Sequence, residues 1–182
     1  MNTTIVLGHG GLEGELRERL GGAARGAIVG IGDELQVHDR LGILAGREIE
    51  ALHLPGARVF LAGTVPEAVT GPIRRFHPEH ILLLDAADLG ERPGTVAVIG
   101  PERVVMRAPS THSLPLSVVI RYLEESLRVP VTLIGIQPDL ASDAADLTAA
   151  EEAGLARIVG CMQSCLSSPG PKPSRSAGSR AL

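Results

Sequence analysis

The sequence predicts an α/β fold: a three-layer sandwich in which helices cover both faces of a mostly parallel, twisted sheet. Three observations point there. Strand-like and helix-like segments alternate along most of the chain, the pattern of βα units. The segment "HILLLDA" is too uniformly apolar to have a solvated face, as expected of a parallel strand covered on both sides. Apolar residues make up 44% of the 182, enough to bury one sizeable core, and with aromatics at only 2% that core must be built from Leu, Ile, Val and Ala.

The elements follow in order. "LEGELRERL" spaces Leu12, Leu16 and Leu20 four apart, a short amphipathic helix ended by "GGAARG". "AIVGIG" is a short apolar run suited to a central strand. "DRLGILAGREIEAL" carries Leu41, Leu44, Ala45, Ile49 and Leu52 near helical spacing, and Pro55 and Gly56 close it. "RVFLA", "HILLLDA" and "TVAVIG" read as further strands. "LPLSVVIRYLEESL" is a helix with Pro115 in its first turn, "VPVTLIGI" the last strand and "LTAAEEAGLARIVGCMQSCL" the last helix. Residues 1–166 are thus expected to form one α/β domain. From 167 to 182 the chain is rich in Ser, Pro, Gly and Arg with little to bury, and a disordered tail is expected.

Composition narrows the function. With 17 basic and 21 acidic residues dispersed along the chain, there is neither a basic stripe nor an aromatic platform for bases, so no nucleic-acid partner is expected. The start "MNTTIVLGHGG" lacks a basic n-region, and no apolar run approaches the length of a membrane span. A cytoplasmic protein without membrane insertion is expected. Cys161 and Cys165 stand one helical turn apart in "CMQSC"; two ligands are too few for a closed zinc site, and both read as small packed residues of the last helix.

In open α/β sheets ligands bind at the carboxyl ends of the strands. Three polar residues fall at or just beyond such ends: Asp39 after "AIVGIG", Asp85 closing "HILLLD", and His112 in "APSTHSLP". Each has a plainer alternative, since either acid can cap the element that follows it and His112 can be a surface loop residue. Together they make a set of two carboxylates and one imidazole from separate loops, which suits a divalent transition metal with open positions. A nucleotide site fits less well. "GIGDEL" has the first two glycines of the dinucleotide fingerprint but Leu35 in place of the third, and there is no Walker lysine, so no nucleotide cofactor is expected. Neither a Gly-Xaa-Ser-Xaa-Gly elbow nor a His-Glu-Xaa-Xaa-His helix occurs.

"VGIGDEL", "HDRLG", "ILLLDAADLGERPG", "STHSLPLSVVI" and "IGIQPDL", in that order and spacing, resemble the hydrogenase maturation endopeptidases of the nickel-iron hydrogenase 3 type. The resemblance runs from about Leu12 to Cys165. It implies a twisted sheet sandwiched by helices, and an endopeptidase, aspartic-type or metal-dependent, that removes a C-terminal extension from a hydrogenase large-subunit precursor after nickel insertion. It implies metal ligation by Asp39, Asp85 and His112, with Asp39 and Asp85 as the catalytic carboxylates. The nickel it implies is carried by the substrate, as proof of a finished active site.

The departures from the family pattern cluster at the first loop. Asp33 stands where Asn is usual, Val37 and His38 replace a Gly and an acid, Arg40 replaces a small residue, and Ala62 takes an acidic position at the end of the second strand. His38 is open to two readings, an added nitrogen ligand or a solvated side chain. Arg40 is open to three: repelling the metal, pairing with Asp39, or facing solvent. These changes also motivate an alternative function, a metal-recognising checkpoint or chaperone of hydrogenase maturation that has lost proteolysis.

Overall fold

The computed structural model describes residues 11–20, 22–100 and 115–167. Its centre is a five-stranded sheet in the order β2-β1-β3-β5-β4. The strands are β1 (Gly26–Ile31), β2 (Ala57–Gly63), β3 (His80–Ala86), β4 (Val96–Ile99) and β5 (Val131–Ile136). β1 pairs in parallel with β2 and β3, β3 in parallel with β5, and β4 closes one edge antiparallel to β5. The helices are α1 (Gly11–Leu20), α2 (Leu41–Ala51), α3 (Thr70–Phe76), α4 (Leu116–Leu127) and α5 (Ala149–Leu166).

Strand alternation sorts the core into two layers. In β3, Leu82, Leu84 and Ala86 face the layer built by α1, α2 and α5, where Leu16, Leu41, Ile49, Ile158 and Met162 are all nearly or fully buried. Ile81 and Leu83 face the other layer, against Ile73 of α3 and Val119 and Leu123 of α4. Both faces of β3 are therefore covered and all seven of its residues are buried, which is why its sequence shows no polar alternation.

The structure adds one element and adjusts three details. The sequence reading has no helix between β2 and β3; here a 3-10 turn (Pro66–Val69) leads into α3. Parallel strands need a crossover, and this one carries the chain over β1 to its far side. The helix is short, with Gly71 and Pro72 in its seven residues, so no helical period stands out. Pro115 is the residue before α4, in extended conformation, rather than part of its first turn. Asp85 lies one residue inside β3, not at its end. β4, unlike the others, runs antiparallel.

α5 opens on a capping box: the Thr148 hydroxyl accepts from the Glu151 amide, and the Glu151 carboxylate accepts from the Thr148 amide. Cys161 and Cys165 are half-buried on α5 against the core, and burial pushes both thiols above their usual range, as inert packed residues require. Among the described residues no helix is long and apolar enough to cross a membrane. The expected tail lies outside the described residues apart from Ser167.

Candidate active site

The strand order fixes where a site belongs. From β1 the chain goes to β2 on one side, then crosses back to β3 on the other, so the loops leaving β1 and β3 part around a topological switch point. Asp39 lies in the loop after β1, and Asp85 is the last residue but one of β3.

The β1–α2 loop is built around Asp39. Gly32 has φ +126°, and a Cβ there would come within 1.9 Å of the Asp39 carbonyl oxygen. No residue but glycine allows that approach, so the turn makes room for Asp39 itself rather than for a phosphate. The loop then winds through two turns, Gln36 N–H donating to Asp33 O at 3.1 Å and Asp39 N–H to Gln36 O at 2.9 Å. The Asp33 amide donates to Asp39 Oδ2 at 2.9 Å, which fixes the carboxylate across the loop. Asp33 Oδ1 in turn accepts from Leu35 N–H at 2.9 Å. Either Asn or Asp makes that bond, which explains why Asp is tolerated at this position.

α2 begins against the partner carboxylate. A Cβ on Gly42 would meet Leu84 O at 2.3 Å, Ile31 O at 2.5 Å and Asp85 Cα at 2.7 Å. Gly42 is therefore wedged between the ends of β1 and β3, and it draws the loop carrying Asp39 onto the backbone of Asp85. Asp85 is 4% exposed. Its position in β3 has the parity of Ile81 and Leu83, the face covered by α3 and α4. His112 lies outside the described residues; it precedes the first residue of α4 by four positions. Among the described residues no three His, Cys, Asp or Glu side chains gather into a metal-holding group.

Two departures from the family pattern acquire a role that the sequence reading did not foresee. His38 Nε2 lies 2.9 Å from Ser142 O, and since a carbonyl can only accept, Nε2 carries the proton. Arg40, 7% exposed, donates from one terminal nitrogen to Ala145 O and from the other to Asp146 O at 2.9 Å. Arg40 is buried and His38 half-buried, and Arg40 shows no ion pair with Asp39 among the described residues. Both reach across to the β5–α5 loop.

Gln137 is a further residue whose role the sequence did not reveal. It is 3% exposed. Its Oε1 accepts from Leu89 N–H at 2.6 Å, its Nε2 donates to Pro138 O at 3.1 Å, and its backbone bonds to Gly94 and Thr95. It thus ties the segment leaving Asp85 to the end of β5. Glu151 completes the support. Burial alone would raise its carboxyl, but bonds from Thr148 and Asp139 and the charge of Arg40 outweigh burial and hold it below the usual range.

Two cavities differ in location. A shallow cleft of about 430 Å³, lined in part by Asp33, Leu35 and Thr64, opens at the carboxyl edge, with the Leu35 side chain 90% exposed. A larger one, about 700 Å³, lies beside α4 at the amino ends of β3 and β5, where His80, Pro130 and Thr132 line it. Strand polarity, not size, favours the first.

His80, 2% exposed, bonds through Nε2 to Thr132 Oγ1 at 2.9 Å, and burial, helped by the charge of Arg19, pushes its pKa down from 6.5 to about 4. The unfolded chain therefore takes up this proton first as pH falls. The contribution is intact above pH 6.5 and is lost between 6.5 and about 4, with a slope of at most about 1.4 kcal/mol per pH unit. Urea midpoints measured across that range are expected to fall less steeply for His80→Gln than for the natural chain; parallel curves would contradict it.

The family model of the hydrogenase maturation proteases matches residues 45–163. The chain belongs to that family. A Methanocaldococcus jannaschii relative, assigned by name to hydrogenase maturation proteolysis, is 32% identical over 133 residues, 69% of this chain and 79% of its own. The Escherichia coli K12 hydrogenase 3 maturation protease is 32% identical over 111 residues, 60% of this chain and 70% of its own. Among solved structures, the [NiFe] hydrogenase maturation protease HycI from Thermococcus kodakarensis superposes with a TM-score of 0.72 at 26% identity, over 85% of this chain and 99% of that one. Family, fold and endopeptidase class thus agree with what the sequence motifs imply.

Proposed function

We propose that this protein removes a C-terminal extension from the precursor of a nickel-iron hydrogenase large subunit once nickel has been inserted, and that it works in the cytoplasm. The observation that carries the reading is that Asp39, on the loop leaving β1, and Asp85, the last residue but one of β3, flank the switch point in a member of the maturation protease family. Asp39, Asp85 and His112 are assigned to complete the coordination of nickel that arrives in the substrate, so no tightly held metal or nucleotide cofactor of the protein's own is required. Oxygen and imidazole donors suit that ion. The scissile carbonyl is polarised at the same place, and one of the two carboxylates takes the proton of the attacking water. The checkpoint alternative loses its motive, because the altered residues His38 and Arg40 support the loop that holds Asp39.

Incubating the protein with nickel-loaded and nickel-free precursor, and reading the product mass, tests the proposal. The loaded precursor is expected to be trimmed and the nickel-free one to stay intact. Binding of the loaded form without trimming would return the checkpoint reading. Equal trimming of both forms would show that nickel is not what the three residues recognise.

A further inference from the structure

Local chemistry argues against the residue at position 40. It is the N-cap of α2, where Ser, Thr, Asp or Asn normally accept from the first-turn amides, and Arg40 makes no such bond. A cation at a helix N-terminus also opposes the helix dipole. Its side chain is nevertheless 7% exposed, and its Nε is buried with no partner among the described residues. A residue that breaks local rules at this cost answers to something outside its own helix.

What it answers to is the β5–α5 loop. The two terminal nitrogens of Arg40 hold the successive carbonyls of Ala145 and Asp146, and His38 Nε2 holds that of Ser142. The far loop is itself stiff. Glu151 accepts from Asp139 N–H at 3.0 Å and Thr148 N–H at 2.9 Å, pinning the loop at both ends to the first turn of α5. Asp39 lies between the two anchoring side chains in sequence, and among the described residues its Oδ2 is held from within its own loop, by the Asp33 amide.

We propose that Arg40 and His38 are positioning residues that clamp the β1–α2 loop to the β5–α5 loop and so aim the Asp39 carboxylate. The inference rests on the assignment of Asp39 to the site. Arg40 suits the task because its rigid planar fork presents one terminal nitrogen to each carbonyl, a fixed spacing that the single ammonium of a lysine does not offer. Displacing a reacting group by about 1 Å costs up to about 100-fold in rate.

The test combines two measurements on the full chain. Amide hydrogen exchange at Asp33 and over residues 142–146 is followed in Arg40→Met, Arg40→Lys, His38→Ala and His38→Gln. Cleavage of the nickel-loaded precursor is followed in the same variants. Arg40→Met is expected to speed exchange in both loops and to lower kcat about 10- to 100-fold with KM little changed, with Arg40→Lys intermediate. His38→Gln, whose amide can still donate to Ser142 O, is expected to restore most of what His38→Ala loses. A fall in melting temperature with kcat unchanged in the folded fraction would overturn the positioning role, as would unchanged exchange at Asp33. If the natural chain does not cleave at all, the functional reading fails, and the exchange data still decide whether the clamp exists. If Arg40→Met does not fold, the His38 pair decides.

Discussion

Asp85→Asn is expected to abolish processing of the nickel-loaded precursor, with a loss of at least about 100-fold in single-turnover rate. The substitution keeps side-chain volume and removes the negative charge of a residue that is only 4% exposed. Asp39→Asn should have the same effect for a cleaner reason. An Asn oxygen can still accept from the Asp33 amide, so the loop keeps its shape and only the charge is lost. Asp39→Ala loses both, and its extra cost over Asp39→Asn measures what the loop bond contributes to aim. His112→Ala should match the two acids if the family resemblance carries over to this chain. Circular dichroism on each variant separates loss of chemistry from loss of fold. A folded Asp85→Asn that cleaves at the natural rate would remove Asp85 from the site.

The outline of the fold was legible because its signals are local. The four-residue spacing of Leu12, Leu16 and Leu20 and the unbroken apolar run of β3 each report burial that the structure then provides. α3 was not legible, for it is seven residues long with Pro72 in its middle, and the topology of the sheet rather than any helical period demands it. Asp39 and Asp85 could be picked out because acids after apolar strands are chemically conspicuous. The supporting residues could not. Nothing in the sequence says that His38 and Arg40 reach carbonyls more than 100 positions away, or that Gln137 serves the segment after β3. Those contacts are properties of how loops meet at the sheet edge, and a single chain read in order carries no record of them. The glycines fall between: Gly32 is visible in the sequence as a turn glycine, but neither its close approach to Asp39 nor the wedging of Gly42 between two strand ends can be read there.

Gly42→Ala is expected to be severely damaging for a change of one methyl group inside a helix. The added carbon would lie 2.3 and 2.5 Å from the carbonyl oxygens of Leu84 and Ile31 and 2.7 Å from Asp85 Cα. All three are backbone atoms of central strands in a sheet covered on both faces, so no flexible side chain can swing away. The helix must move instead, and overpacking of this kind costs about 3 kcal/mol, the upper end for an inserted methyl group. Helix propensity works the other way, Ala being better than Gly by about 1 kcal/mol, and it should not rescue the variant. Gly160→Ala on α5 supplies the control, because a Cβ there meets nothing within 4 Å; that change should raise the denaturation midpoint slightly and leave cleavage alone. Where Gly42→Ala still folds, the shifted start of α2 carries Asp39 away from Asp85, and kcat should fall by about 10-fold or more through misplacement alone. Urea midpoints for the two glycine variants, read beside cleavage rates, check both halves. A Gly42→Ala protein as stable and as active as the natural one would mean that α2 does not sit on the strand ends and that the two acids are not held together by it.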